Sequence, residues 1–183
     1  MKKLSREFYN RKTVEVAKDL LGKLLVHSIG KNVRVGKITE VEAYVGPHDK
    51  ASHTSRGITP RTKVMFGPPG HAYVYLIYGM HHCFNVVTEQ VGHGSGVLIR
   101  SLEPVLGVTE NTKGPGRLCK AMGLDLNSYG HDLLSKDLFI AEPSVVDKIE
   151  IVASPRVGVN YAGEWAKKPL RFYIKGSSYV SKK

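Results

Sequence analysis

The stretch "NVRVGKITEVEAYVG", residues 32–46, sets the architecture of this chain. It follows a turn at Gly30 and reads as one strand, longer than its neighbours. Successive side chains on a strand point to opposite faces. Val41, Ala43 and Val45 therefore share a face suited to a core, and Glu40, Glu42 and Tyr44 share the other, with same-side neighbours about 7 Å apart. Two carboxylates and a phenol on one strip are the first candidate chemistry. Strand parity does not choose between Glu40 and Glu42, and a solvent-exposed acidic edge would look the same.

Upstream, "KTVEVAKDLL" (12–21) places Val14, Ala17, Leu20 and Leu21 on one helical face, with Asn10 or Thr13 as cap and Gly22 as stop. "KLLVHSI" (23–29) reads as a strand. Downstream, residues 47–70 form a long loop closed by "GPPG", and strands are expected at 72–78 and 96–102. Pro115 suits a first helical position, and that helix runs to Gly123. Short strands follow at 138–142, 149–153 and 170–175. The order is helix, many strands, one helix, then strands. That is not an alternation of strand and helix, so an α+β fold is expected. It would be a single compact domain over 1–183, with a mixed, mostly antiparallel sheet and helices around it. A connection as long as 47–70 is usually functional.

Lys plus Arg number 27 and Asp plus Glu 16, giving 27 − 16 = +11 and a pI near 9.6. Such a balance points to a nucleic-acid surface. No apolar run reaches the length of a bilayer-spanning helix, and "MKKLSREFYNRKTVEVAKD" is too charged for a secretory signal. Cys83 and Cys119 form no CxxC pair, which predicts reduced thiols and a cytoplasmic setting.

The run "GHAYVYLIYGMHHCFN" (70–85) supplies three tyrosines in six positions. Tyr73 and Tyr75 share a strand face, and Tyr78 falls at the turn before Gly79. Aromatic rings beside strong positive charge suit base stacking, and a ring at a turn tip suits a wedge between base pairs. Edge-strand packing accounts equally well for the same rings. His53, His71, His81, His82 and Cys83 lie close in sequence, but no H-E-x-x-H spacing is present and His81 and His82 would point oppositely in a strand. No metal site is expected. "GHGSG" (92–96) has its glycines in the wrong order for a serine nucleophile elbow, and there is no phosphate-cradling Walker loop.

Taken together, "EVEAYVGPHDKASH", "YVYLIYGM…FN", "VLIRSLEP", "GPGRLCKAM" and "AGEWAKKPLRFYIKG" resemble the alkyladenine (3-methyladenine) DNA glycosylase family, in order, from about residue 12 to 176. The resemblance implies a monofunctional enzyme that flips alkylated or deaminated purines out of duplex DNA and hydrolyses the N-glycosidic bond. It selects Glu42 as the general base for the attacking water. Arg100 and the backbone carbonyl of Val157 would help hold that water. Tyr44 would form one wall of the purine pocket and His53 with Tyr75 the other. Asn85 would disfavour the guanine amine, and Tyr78 would fill the gap left by the flipped nucleotide. Tyr73 keeps its packing role. Met80 would lie in the minor groove, and Arg61, Lys113, Arg117 and Arg156 are candidates for phosphates because they flank the matching segments.

The chemistry agrees. Flipping costs a few kcal/mol of unstacking that ring contacts partly return. Glycosidic cleavage develops positive charge at the sugar, which a carboxylate can offset while accepting a proton. No lysine is demanded as a Schiff-base nucleophile and no cofactor is implied. The expected partner is double-stranded DNA, bound by a monomer. Two competitors remain: a non-catalytic nucleic-acid binder with the same rings, and a metal-dependent hydrolase built on the histidines. The loop from His53 to Pro60 is about one residue shorter than in vertebrate members, and His81 and His82 stand where an aromatic pair is often found.

Overall fold

The computed structural model describes residues 1–182. Its centre is the predicted long strand, here β3 (Asn32–Tyr44), and the remaining elements are arranged along its two edges. In chain order they are β1 (Lys2–Lys3), α1 (Arg6–Tyr9), α2 (Thr13–Leu20), β2 (Leu24–Ile29), β3, β4 (Ala72–Ile77), β5 (His81–Thr88), β6 (Ser95–Leu106), α3 (Pro115–Met122), β7 (Leu138–Glu142), β8 (Ile151–Ser154), α4 (Glu164–Lys167) and β9 (Arg171–Ile174). The sheet runs β1-β7-β2-β3-β6-β5-β4, and every pairing is antiparallel. Along the edge away from β6, the first half of β3 pairs with β2 and the second half with β9, which also holds β8. The expected α+β class, with a mostly antiparallel sheet and helices around it, is what the chain adopts.

One continuous core lies against this sheet. It takes Val16, Ala17 and Leu20 from α2, Leu118 and Met122 from α3, and Ile38, Val41, Ala43, Phe84, Val86, Val97, Ile99 and Leu102 from the strands. Burial of such side chains is the main term holding elements together. The helix at 12–21 forms as α2, but neither Asn10 nor Thr13 caps it with a side chain. Instead Glu89, beyond β5, accepts from the Thr13 N–H and hydroxyl at 2.9 and 2.6 Å, so the free amide is satisfied by a distant carboxylate.

Ile38 and Val41 both enter this core although they are three residues apart. The same holds for Ile99 and Leu102 on β6. Strict alternation forbids that. The ladder breaks step here: Ile38 pairs with Leu102, Glu40 with Ser101 and Val41 with Ile99, leaving Thr39 and Arg100 unpaired. Bulges re-aim side chains beside active sites. Here the break turns Arg100 toward the two glutamates.

Three differences from the sequence reading concern strands and loops. β5 was not anticipated: "HHCFNVVT" lacks alternation because Phe84 and Val86 face the core while Cys83 and Asn85 are buried on the other side. β6 is longer than 96–102, reaching Leu106. The 47–70 loop carries two 3-10 turns, at His53–Arg56 and Lys63–Phe66.

Candidate active site

The polar face of β3 opens into a cavity of ≈ 240 Å³. Its lining includes Glu42, Tyr44, His53, Tyr75, Asn85, Arg100 and Val157, which come from four strands, the 53–56 turn and the loop after β8. Tyr78 reaches the rim. Glu40, on the same face, does not line it. Of the two carboxylates that strand parity left open, Glu42 is the one that lines the cavity.

The two glutamates also differ in what their oxygens hold. Glu40 Oε1 accepts from Arg100 Nε at 3.0 Å, Arg171 Nη1 at 2.9 Å and the Ser181 hydroxyl at 2.9 Å. Its Oε2 accepts from Ser101 at 3.1 Å and the Ser181 N–H at 2.6 Å. A carboxylate offers about four lone-pair sites, so Glu40 is saturated. Burial alone would raise its pKa, but the Ser181 N–H and the charge of Arg100 outweigh that and hold the group ionised, below its ordinary value.

Glu42 is held more sparely. Its side chain is fully buried, with the Val157 N–H donating to Oε1 at 2.7 Å and Arg100 Nη1 at 3.3 Å from that oxygen. Oε2 receives the Tyr44 hydroxyl at 2.9 Å. Among the described residues no other donor is bonded to Oε2, which leaves it with acceptor capacity on a residue that lines the cavity. Val157 was expected to act through its carbonyl; the contact seen is through its N–H. Burial and the adjacent Glu42 push the Tyr44 phenol well above its ordinary pKa, so it stays a donor.

More rings line the same cavity. His53 meets Tyr75 edge-on, with centroids 4.7 Å apart. Its Nδ1 shares a hydrogen with the Tyr73 hydroxyl at 2.9 Å, and Arg61 Nη2 lies 2.9 Å from Nε2. Burial, then the charges of Arg61 and Arg56, lower the His53 pKa to about 4, so the ring is neutral at pH 7. Tyr73, expected only to pack, is almost fully buried yet also lines the cavity. The Asn85 amide donates to the Tyr73 carbonyl at 3.0 Å.

At the rim, Tyr78 (φ +53°) and Gly79 (φ +68°) make the turn between β4 and β5, closed by Met80 N–H onto the Ile77 carbonyl. Consecutive left-handed residues give the mirror-image turn that fits strand twist, and tyrosine rarely occupies it. Tyr78 is 86% exposed and Met80 68%.

The four cation candidates divide. Arg61, Lys113 and Arg117 are exposed, with Arg61 stacked on Tyr75 at 4.9 Å and Lys113 over Tyr179 at 5.3 Å. Arg156 does not reach the surface, and the expectation of a phosphate contact is corrected. Its side chain and that of Asp49 are both 0% exposed, and the pair is bidentate at 2.6 and 2.8 Å. The guanidinium also donates to the Ala43 carbonyl and stacks under the Tyr44 ring at 4.6 Å. Asp49, Ser181 and Cys83 carry no local signal in the sequence for their places here. The histidines disperse, and among the described residues no group of three or more His, Cys, Asp or Glu is arranged to hold a metal ion.

A model of the methylpurine-DNA glycosylase family matches residues 7–178. The chain belongs to that family. Relatives named "Putative 3-methyladenine DNA glycosylase" agree over nearly the whole length. One from Legionella pneumophila (strain Corby) is 58% identical over 182 residues, covering all of both chains. One from Myxococcus xanthus is 51% identical over 98% of this chain and 93% of its own. One from Anaeromyxobacter sp. (strain Fw109-5) is 52% identical with the same coverage. Membership of the methylpurine-DNA glycosylase family makes this a DNA glycosylase of base excision repair, a hydrolase of N-glycosyl bonds with DNA as substrate. Among the described residues no helix is long and apolar enough to cross a membrane.

Proposed function

We propose that the protein is a monofunctional glycosylase for alkylated or deaminated purines in duplex DNA, of the 3-methyladenine, hypoxanthine or ethenoadenine type. The observation that carries this is the remaining acceptor capacity of Glu42 Oε2, on the lining of a cavity shared with Tyr44, His53 and Tyr75. A purine everted into the cavity stacks between Tyr44 and the His53–Tyr75 pair, and Tyr78 occupies the space it leaves. The sugar's anomeric carbon then lies on the Glu42 side. Water there gives its proton to Glu42 as its oxygen bonds to that carbon, and the N-glycosidic electron pair departs with the purine. A cationic 3-methylated purine leaves as a neutral base, whereas hypoxanthine needs a proton first. Asn85, which lines the same cavity, selects against a guanine amine by filling the space that group would occupy.

The deciding experiment is Glu42→Gln. It keeps the shape but removes the proton acceptor. Lesion-containing duplex should still bind, while purine release falls by about 10²–10⁴-fold. Release of 3-methyladenine or hypoxanthine at the wild-type rate by this variant would remove Glu42 from the mechanism.

A further inference from the structure

Arg100 uses three nitrogens on three different partners. Nε donates to Glu40, Nη2 to the Ser181 hydroxyl at 3.0 Å, and Nη1 faces Glu42. Only the last of these lies at the cavity. Ser181 belongs to the segment after β9, which is tied in at several points. Thr39 donates to the Tyr179 carbonyl at 2.6 Å, Arg171 donates to the Lys182 carbonyl at 2.7 Å, and Val180 is buried. Arg171 reaches in the other direction as well, donating to the Pro155 carbonyl at 3.1 Å, two residues before Val157. Glu40 thus joins the two arginines that border Glu42 from β6 and from β9, and Ser181 fixes Glu40 on both oxygens.

From this arrangement we infer that Glu40 and Ser181 are positioning residues for the hydrolytic step, acting through Arg100; the inference rests on the glycosylase reading above. Arg100 is a bulged residue, so the ladder does not fix its direction. With Nε and Nη2 both held, the guanidinium offers Glu42 a single amino group at 3.3 Å instead of a two-pronged grip. A fully paired Arg–carboxylate fork would consume the lone pairs that the water needs. Glu40 therefore keeps Arg100 close enough to orient Glu42 and too constrained to saturate it. The charges agree: Glu40 is shared by Arg100 and Arg171, and loss of Glu40 would leave Glu42, among the described residues, as the one carboxylate in contact with Arg100.

The test uses single-turnover release of a methylated purine from duplex DNA at saturating enzyme, with lesion-duplex affinity measured separately. Glu40→Gln should slow release at least about tenfold while the dissociation constant stays within about twofold, because misplacement at the reacting centre acts on the chemical step. Ser181→Ala, a smaller change at a residue outside the cavity lining, should give a lesser loss in the same direction and keeps the test valid if Glu40→Gln does not fold. The decisive arm is coupling. In an Arg100→Lys background, where Nε and Nη2 are gone, adding Glu40→Gln should cost little more, whereas a merely structural role predicts losses that add. Unchanged release in folded Ser181→Ala and Glu40→Gln, or additive losses, overturns the inference alone. A wild type that releases no damaged purine overturns the glycosylase reading, and this inference with it.

Discussion

Tyr44 sits two residues beyond Glu42 on the same strand, and its phenol donates to Glu42 Oε2 at 2.9 Å. The residue proposed as a stacking wall is therefore also bonded to the proposed base, on the oxygen that keeps acceptor capacity. The two roles are separable. Tyr44→Phe keeps the ring and removes the donor. A hydrogen bond to a charged group contributes about 1.5–3 kcal/mol. Release should fall by roughly ten- to hundredfold with little change in lesion binding, as read from single-turnover rates against a binding isotherm.

Arg156 gives the second prediction. Breaking a fully buried ion pair from one side leaves a lone charge and costs about 3–5 kcal/mol. Arg156→Leu should lower the thermal midpoint by roughly ten degrees. The double change Arg156→Leu with Asp49→Ala should recover part of that, since no buried charge is then stranded. The salt dependence of DNA binding should not alter in either variant. A flatter slope would restore Arg156 to the DNA surface.

Tyr78 is exposed and held at a left-handed φ, so its ring contributes little to the fold. Tyr78→Ala should leave stability within about 0.5 kcal/mol. Ethenoadenine fluorescence in a stopped-flow experiment should nevertheless show weaker extrusion, and unchanged flipping kinetics would count against a wedge.

The fourth prediction follows from the low pKa of His53. In the unfolded chain this ring takes up a proton near pH 6.5, while in the folded state it resists until about pH 4. Between those values the unfolded state binds the extra proton, so the stabilisation is complete above pH 6.5 and is lost as pH falls toward 4. His53→Gln should remove up to about 1.4 kcal/mol per pH unit from the slope of stability in that window. Denaturant titrations of both proteins at several pH values would measure it, and equal slopes would refute the shift.

Much of this was legible from local pattern. The 32–46 stretch announced its strand, and parity placed Val41 and Ala43 in the core with Glu40, Glu42 and Tyr44 on the other face. That worked because the break in alternation at Thr39 falls just before the three polar residues. The helices at 13–20 and 115–122 followed from apolar spacing, Pro115 and the glycine stops. Other features depend on partners far along the chain. Nothing near Arg156 marks it as buried, because its partner Asp49 is in a loop more than a hundred residues earlier. Nothing near Ser181 tells of Glu40. β5 escaped because a strand buried on both faces does not alternate, and a strand that opens on two histidines looks like a loop.

The contact between Glu40 and the Ser181 amide spans 141 residues of sequence. A ribosome making this chain extrudes β3 long before the segment that completes the clasp around Arg100. Until then Glu40 lacks two of its donors, and the guanidinium beside Glu42 has one anchor fewer. In a nascent polypeptide β3 can pair with β2 and β6 long before Ser181 is available, so the proposed positioning of Arg100 is completed after those strands have joined.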